Sequence, residues 1–250
     1  MENVNPSETS ELDLLIKKYS PFLIEIRKRI IFTLSVFAAA MLVGFVFYEK
    51  IIKFMINILS LKGINIVFTS PFQFINLAVS CSISTGLLFV FPILLYQILT
   101  FLKPALREKE FKMVVRFLPF SIILFLIGFW FGIFIMKWQI QIFLARSISL
   151  EIGNILDISR LLSTVFLTSI LMGIGFQFPI ILLLMLRIGV IKHDQISKQR
   201  LWVYLGSFIF AVLLPADSVL ADVLLALPLV IMFELTLIFN RIFERKIVYV

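Results

Sequence analysis

Long uncharged stretches alternate with short charged ones along this chain. The clearest uncharged stretches are residues 30–48, 117–136 and 161–186, which contain no Asp, Glu, Lys or Arg. At 1.5 Å per residue, even the shortest of them would form a helix of about 28 Å, close to the hydrocarbon thickness of a bilayer. The pattern therefore predicts helices that cross a membrane.

A fourth uncharged run covers residues 63–102, and it is long enough for two spans. The sequence Thr69-Ser70-Pro71 is a break signal near its start, so we predict one span after the break. Two shorter apolar stretches follow near the end of the chain. The six predicted spans are 30–48, 74–101, 113–136, 161–186, 201–216 and 223–240, in one polytopic membrane domain of residues 1–250 with a tail at 1–29 and another at 241–250.

Two segments beside the first span have an amphipathic pattern. In residues 49–62, Ile51 and Met55 recur on one helical face, and Lys50 and Lys53 lie on the other. This spacing predicts an interfacial helix rather than a span. In the N-terminal tail, Ser20 followed by Pro predicts the start of a further helix at the membrane surface. The expected fold class is an all-α integral membrane protein with six transmembrane helices and additional interfacial helices.

The positive charges are distributed unevenly between the predicted loops. Of the 23 Lys and Arg residues, 17 lie on the side that holds both chain ends, and 6 lie on the opposite side. Loops that stay in the cytoplasm carry the excess of Lys and Arg. Both termini are therefore expected to be cytoplasmic, or stromal if the membrane belongs to a plastid.

Composition excludes several function classes. The chain is 61% hydrophobic with a mean hydropathy of +1.07, whereas soluble domains are about 45–50% apolar. One Cys and one His provide almost none of the side chains that usually bind a metal ion. No serine has a base arranged beside it, so no enzyme activity and no cofactor are predicted. The net charge of +8 is explained by cytoplasmic loops rather than by nucleic acid.

A charged hairpin between the second and third spans carries the most specific pattern. The matching positions, in register, are Pro92, Tyr96, Gln97, Phe101, Pro104, Leu106 and Glu110. With this pattern the chain resembles the TatC family, the multi-span receptor subunit of the twin-arginine protein translocase. Further matches are Glu25-x-Arg27-x-Arg29 before the first span, Gly175-x-Gln177-x-Pro179, and Leu227-Pro228 followed by Phe233-Glu234.

The resemblance implies a function in protein transport. Glu25 and Glu110 would bind the two arginines of a precursor's signal peptide, with Arg27, Tyr96, Gln97 and Phe101 in the same patch. The polar residues Gln177, Asp217 and Glu234 would contact partner spans. The implied partners are twin-arginine precursors, small single-span TatA/TatB-type subunits, other TatC copies and membrane lipids. The membrane would be a bacterial inner membrane, a thylakoid or another organellar membrane.

This sequence departs from the family pattern at several positions. Phe22 replaces the usual His, Gln177 stands where Glu is frequent, and the turn before the last span reads Pro215-Ala216-Asp217. Asp222 lies near a position where Gln is common. The last three changes affect the polar contacts that the family makes with its partners.

Less specific interpretations stay open for the same residues. Glu110 could simply pair with Arg107, Gln177 could join two helices, and Glu234 could accept an intrachain hydrogen bond. Polar residues in Pro-broken spans, such as Gln177 and Glu234, are also typical of secondary transporters and ion pathways, which form the alternative function.

Overall fold

The computed structural model describes residues 6–61, 66–103, 106–151, 156–191, 193–215 and 218–248. Helices account for nearly all of this part of the chain. In chain order the elements are α1 (Pro6–Ile58), β1 (Ile66–Val67), α2 (Gln73–Leu102), α3 (Glu108–Ser149), β2 (Leu156–Asp157), α4 (Ile158–Gly175), α5 (Phe178–Ile188), α6 (His193–Lys198), α7 (Arg200–Val212) and α8 (Val219–Val248).

Six membrane-crossing segments are present in the described residues. Five helical segments are long and apolar enough to span a bilayer, and the shorter apolar helix α7 is the additional one. The chain therefore has the all-α, six-span fold that the sequence predicts. We call the side where α1 begins, α2 ends and α3 begins the N-terminal side, and the side where α2, α4 and α8 begin the opposite side.

Helix α1 is much longer than its predicted span. Its 53 residues run without interruption through Pro21, so the helix start predicted at Ser20 is wrong. Residues 49–58, predicted as a separate interfacial helix, continue α1. Their apolar face is real, but it packs against protein, because Met55 and Leu59 are buried in one cluster with residues of α2, α3 and α4. An amphipathic pattern does not distinguish a lipid surface from a protein surface.

Helix α3 also extends beyond its predicted span. Its 42 residues correspond to about 63 Å, twice the hydrocarbon thickness of a bilayer. Residues 137–149, predicted as part of a polar loop, form its last turns on the opposite side. Within the span, α3 packs closely against α4. A Cβ added at Gly132 would lie 2.6 Å from the Cα of Ser169. A small residue is therefore required at this crossing.

Asp157 holds the start of α4 to the start of α2 on the opposite side. Its Oδ2 accepts hydrogen bonds from Thr69 Oγ1 at 2.9 Å and from Gln73 Nε2 at 2.7 Å. Its Oδ1 caps α4 by accepting from the backbone N–H groups of Ser159 and Arg160. Desolvation alone would raise the pKa of this carboxyl, but the hydrogen bonds together lower the pKa below its usual 3.8.

The fourth span is broken, and the fifth is short. α4 ends at Gly175, and α5 begins at Phe178 with Pro179 in its first turn. Proline has no N–H group to continue the backbone ladder, which accounts for the break. α7 has 13 residues, or about 20 Å, so the bilayer beside it must thin or the ends must be solvated.

Candidate functional site

Glu25 lies near the start of the first span, on the exposed surface of α1. Its Oε1 accepts hydrogen bonds from Arg29 Nη2 at 2.6 Å and from Arg29 Nε at 3.1 Å. The side chain of Glu25 is 47% exposed, against 23% for Arg29. No described side chain donates a hydrogen bond to Glu25 Oε2, so this oxygen can accept one from a ligand that arrives from solvent.

The same arginine connects Glu25 to the end of α2. Arg29 Nη1 donates to the backbone carbonyl of Gln97 at 3.1 Å. One turn further along α1, the hydroxyl of Thr33 donates to Gln97 Oε1 at 2.9 Å. These contacts place Glu25 and Gln97 at the same end of the bundle, although 72 residues separate them in the chain.

Glu110 lies in the first turn of α3, just after the α2–α3 hairpin. Its Oε2 accepts the backbone N–H of Arg107 at 2.8 Å, which caps the helix start. Arg107 Nε is 4.0 Å from Glu110 Oε1, and the Arg107 side chain is 90% exposed. The pairing of Glu110 with Arg107 is therefore present but loose, and the Glu110 side chain, which is 24% exposed, lies beside the positive end of the helix dipole.

The remaining predicted residues of this site occupy the last turns of α2 and the start of the first span. Tyr96 is exposed and Phe101 is half-buried. Lys103 Nζ stacks over the ring of Phe111 at 5.6 Å, joining the end of α2 to the start of α3. Arg27 is exposed and makes no ion pair with another described residue, whereas Arg29 does. Pro104 lies outside the described residues.

The structure thus puts Glu25, Gln97, Phe101 and Glu110 on the N-terminal side of the bundle. We call these four residues the acidic patch. Arg29 and Thr33 connect two of its members, Glu25 and Gln97, and sequence reasoning did not select them as site residues. The advance signals for Arg29 were its place in the motif Glu25-x-Arg27-x-Arg29 and its position four residues after Glu25, which is the spacing of a helical ion pair.

Gln177 fills the break between α4 and α5. Its side chain is buried and accepts the hydroxyl hydrogen of Ser121. Its Nε2 donates to the carbonyls of Ser121 at 3.2 Å and Gly173 at 3.3 Å. The amide is therefore fully used inside the chain. This geometry favours a helix–helix contact, and the partner contact stays a prediction.

Glu234 lies about halfway along α8 and faces the first turns of α7. The hydroxyl of Tyr204 donates to its Oε1, and Arg200 Nη1 is 3.6 Å from its Oε2. The intrachain hydrogen bond considered from the sequence is present. The contacts of Glu234 and of Gln177 described here are thus made within the chain. Asp217, the third predicted partner contact, lies outside the described residues.

Comparison with known proteins gives a consistent result. Residues 21–228 match the model of the family described as TatC, Sec-independent protein translocase protein. TatCy of Bacillus subtilis strain 168 is 28% identical over 89% of this chain and 88% of its own length. TatC of Escherichia coli K12 is 32% identical over 62% of this chain and 60% of its own length.

Solved structures agree with this match. A crystal structure of a twin arginine translocase receptor, TatC, in DDM superposes with a TM-score of 0.78 at 25% identity. The alignment covers 87% of this chain and 98% of that one. A second crystal structure of such a receptor gives a TM-score of 0.74 at 24% identity, which supports the fold.

Proposed function

The chain belongs to the TatC family of Sec-independent protein translocase proteins, and on that premise we propose that it binds twin-arginine signal peptides at the acidic patch. As a core subunit of the translocase it is a multi-pass membrane protein. Its part in transport is recognition and assembly, with no catalysis in this chain. The accessible pair of carboxylates at one end of the bundle is the observation that carries this proposal.

The acidic patch faces the cytoplasm in this proposal. The N-terminal side carries 17 of the 23 Lys and Arg residues, which is the distribution of cytoplasmic loops. Precursors are made in the cytoplasm, so their signals arrive from this side. The proposed location is a bacterial inner membrane, with a thylakoid or other organellar membrane as the alternative.

Arginine suits this surface because its guanidinium fork matches a carboxylate and keeps its charge at physiological pH. Arg29 already shows how Glu25 accepts two N–H groups of one guanidinium. An incoming arginine would use the open Oε2 of Glu25 or displace Arg29. An exposed i,i+4 pair contributes only about 0.3–0.5 kcal/mol, so this displacement costs little.

A second arginine would bind Glu110. Its Oε2 is committed to the helix cap, whereas the ion pair that Oε1 makes among the described residues is the long one with Arg107, at 4.0 Å. Phe101, at the end of α2, would pack against the peptide between the two carboxylates. The apolar part of the signal would then follow the spans into the membrane, where burial stabilises it.

Assembly partners follow from the same family membership. We propose that small single-span TatA/TatB-type subunits and further copies of this chain associate with its spans, and that the proton-motive force drives transport. Glu234 and Asp217 are candidates for these contacts. Gln177 would take part only after its internal hydrogen bonds are exchanged.

A peptide-binding measurement tests the proposal. The protein is placed in lipid nanodiscs, and a fluorescent signal peptide with Arg-Arg or Lys-Lys is titrated against it. Glu110→Gln removes the charge and is expected to weaken Arg-Arg binding roughly 10- to 150-fold, the range for a hydrogen bond to a charged group. Glu108→Gln is the matched control, because Glu108 is exposed two residues away in the same turn.

Normal binding by the Glu110→Gln protein would refute the proposal. Equal losses in both variants would also refute it, since general electrostatic attraction would then explain the affinity. An Arg-Arg peptide that binds no better than Lys-Lys would remove the argument from the guanidinium fork.

A further inference from the structure

A cavity of about 540 Å³ lies on the opposite side of the bundle, far from the acidic patch. The end of α3, the start of α4 and the start of α8 form its walls. This volume falls within the usual range of about 300–1,000 Å³ for ligand sites. Nothing in the proposed recognition of signal peptides uses this cavity.

The walls of the cavity combine apolar side chains with two arginines. Trp138, Phe143, Leu161 and Leu220 supply apolar surface, and Arg146 and Arg160 supply positive charge. Both arginines are exposed, and neither forms an ion pair with another described residue. Two unpaired guanidiniums beside an apolar cavity are complementary to an anion with a hydrocarbon tail.

Among the described residues that line the cavity, Asp157 is the one acidic group, and its carboxylate is directed away from these arginines. Asp157 directs its carboxylate to Thr69, Gln73 and the first N–H groups of α4. Arg160 donates its backbone N–H, not its guanidinium, to Asp157. The guanidinium can therefore bind a ligand. The charged residues of the lining that the structure describes, Arg146, Arg160 and Asp157, therefore sum to one net positive charge.

A polar group in the wall is also incompletely satisfied by the chain. Gln139 Nε2 is 3.4 Å from Ser218 Oγ, and Gln139 Oε1 is buried without a partner among the described residues. An unsatisfied buried acceptor is costly, and a water or a ligand hydroxyl would complete it, whereas a phosphate has no hydrogen to donate to this oxygen.

The position of the cavity along the helices matches the membrane boundary. Counting about 20 residues of α3 from Arg116 for the hydrocarbon core ends the span near Met136. The cavity begins at Met136 and extends to Arg146. Trp138 in its lining is a residue type that concentrates at membrane–water interfaces.

We propose that this cavity binds one anionic phospholipid of the exoplasmic leaflet. The phosphate lies between Arg146 and Arg160, and an acyl chain packs on Leu161 and Leu220. The lipid stabilises the junction of α3, α4 and α8, where the chain alone leaves a void. This site does not depend on signal-peptide binding, so either proposal can fail alone.

Native mass spectrometry of the purified protein in detergent tests the site. Phosphatidylglycerol and phosphatidylcholine with the same acyl chains are titrated separately. We expect the wild type to retain phosphatidylglycerol preferentially. The double variant R146Q/R160Q is expected to lose this retention roughly tenfold to thirtyfold, since each cation near an anionic surface contributes a few-fold or more. The double variant R146K/R160K keeps both positive charges and should keep most of the phosphatidylglycerol retention.

The control is K50Q/K53Q, which removes two exposed cations from α1 on the same side but outside the cavity. Its retention of phosphatidylglycerol should equal that of the wild type. Equal losses in the two glutamine doubles, or equal retention of the two lipids by the wild type, would overturn the proposal. Displacement by glycerol phosphate at the same concentration would show that a free phosphate, not a lipid, is the ligand. Competition by an acidic peptide at that concentration would point to a protein partner and would equally overturn it.

Discussion

Glu110 has two separable functions in this structure, a helix cap and a proposed ligand for arginine. Its Oε2 accepts the Arg107 N–H at 2.8 Å, and its Oε1 is the atom that we propose for the peptide. Glutamine keeps an acceptor for the cap and removes the charge, whereas alanine removes both. The two substitutions should therefore affect stability differently and peptide binding alike.

The expected magnitudes follow from the contacts. Loss of a capping acceptor costs about 1 kcal/mol, and loss of a negative charge in a first turn costs about 0.3–1 kcal/mol. For a chain of this size, 1 kcal/mol corresponds to roughly 2–4 °C in Tm. Glu110→Ala should therefore lower Tm by about 3–8 °C, and Glu110→Gln by about 1–4 °C.

Thermal unfolding at one scan rate in one detergent measures these shifts, and the peptide titration measures binding. Glu108→Ala and Glu108→Gln are the matched controls, because Glu108 has the same position relative to the helix dipole but no cap contact in the described structure. The reasoning is refuted if Glu110→Ala is no less stable than Glu108→Ala. It is also refuted if Glu110→Gln binds peptide like the wild type.

Three further predictions concern stability, each measured as Tm in detergent. Gly132→Ala should destabilise the protein by about 1–3 kcal/mol because its Cβ meets the α4 backbone, whereas Gly206→Ala, with open space around it, should be neutral or slightly stabilising; equal effects would contradict the packing. The Asp157 pKa is lowered in the folded state, so its contribution is present above the unfolded pKa of about 3.9 and is lost as pH falls through the folded value. The Tm gap between the wild type and Asp157→Asn should therefore narrow from pH 7 to pH 3, and a gap that widens would refute this. Tyr204→Phe should cost more than Glu234→Gln, because it leaves a carboxylate without its hydroxyl donor, and the reverse order would contradict the assigned contact.

The sequence was sufficient to predict the six-span fold, whereas the role of Glu25 and Glu110 in binding stays a prediction. Uncharged stretches of 19 residues or more are set by bilayer thickness, so their existence is read directly from hydropathy. Glu25 and Glu110 were selected as candidate site residues because each lies in a local motif at the end of a predicted span. Each of these signals is contained in a single continuous segment of the chain.

Features that depend on contacts between distant segments were not predictable in this way. The apolar face of residues 49–58 has the same pattern whether it meets lipid or protein, so its packing on α2, α3 and α4 was missed. The contact of Arg29 with the Gln97 carbonyl uses a backbone atom 68 residues away, which no side-chain pattern encodes. The sequence left both a helix–helix contact and a partner contact open for Gln177, because its hydrogen bond with Ser121 joins residues 56 positions apart in the chain.

Site-specific crosslinking from position 101 tests the central claim most directly. A photoreactive amino acid replaces Phe101 at the end of α2, and the purified protein is mixed with precursors whose signals carry Arg-Arg or Lys-Lys. We predict a crosslink to the Arg-Arg signal that is lost with Lys-Lys and with Glu110→Gln, but kept with Glu108→Gln. A crosslink of equal yield to both signals, or one that persists in Glu110→Gln, would contradict recognition of the paired arginines at this patch.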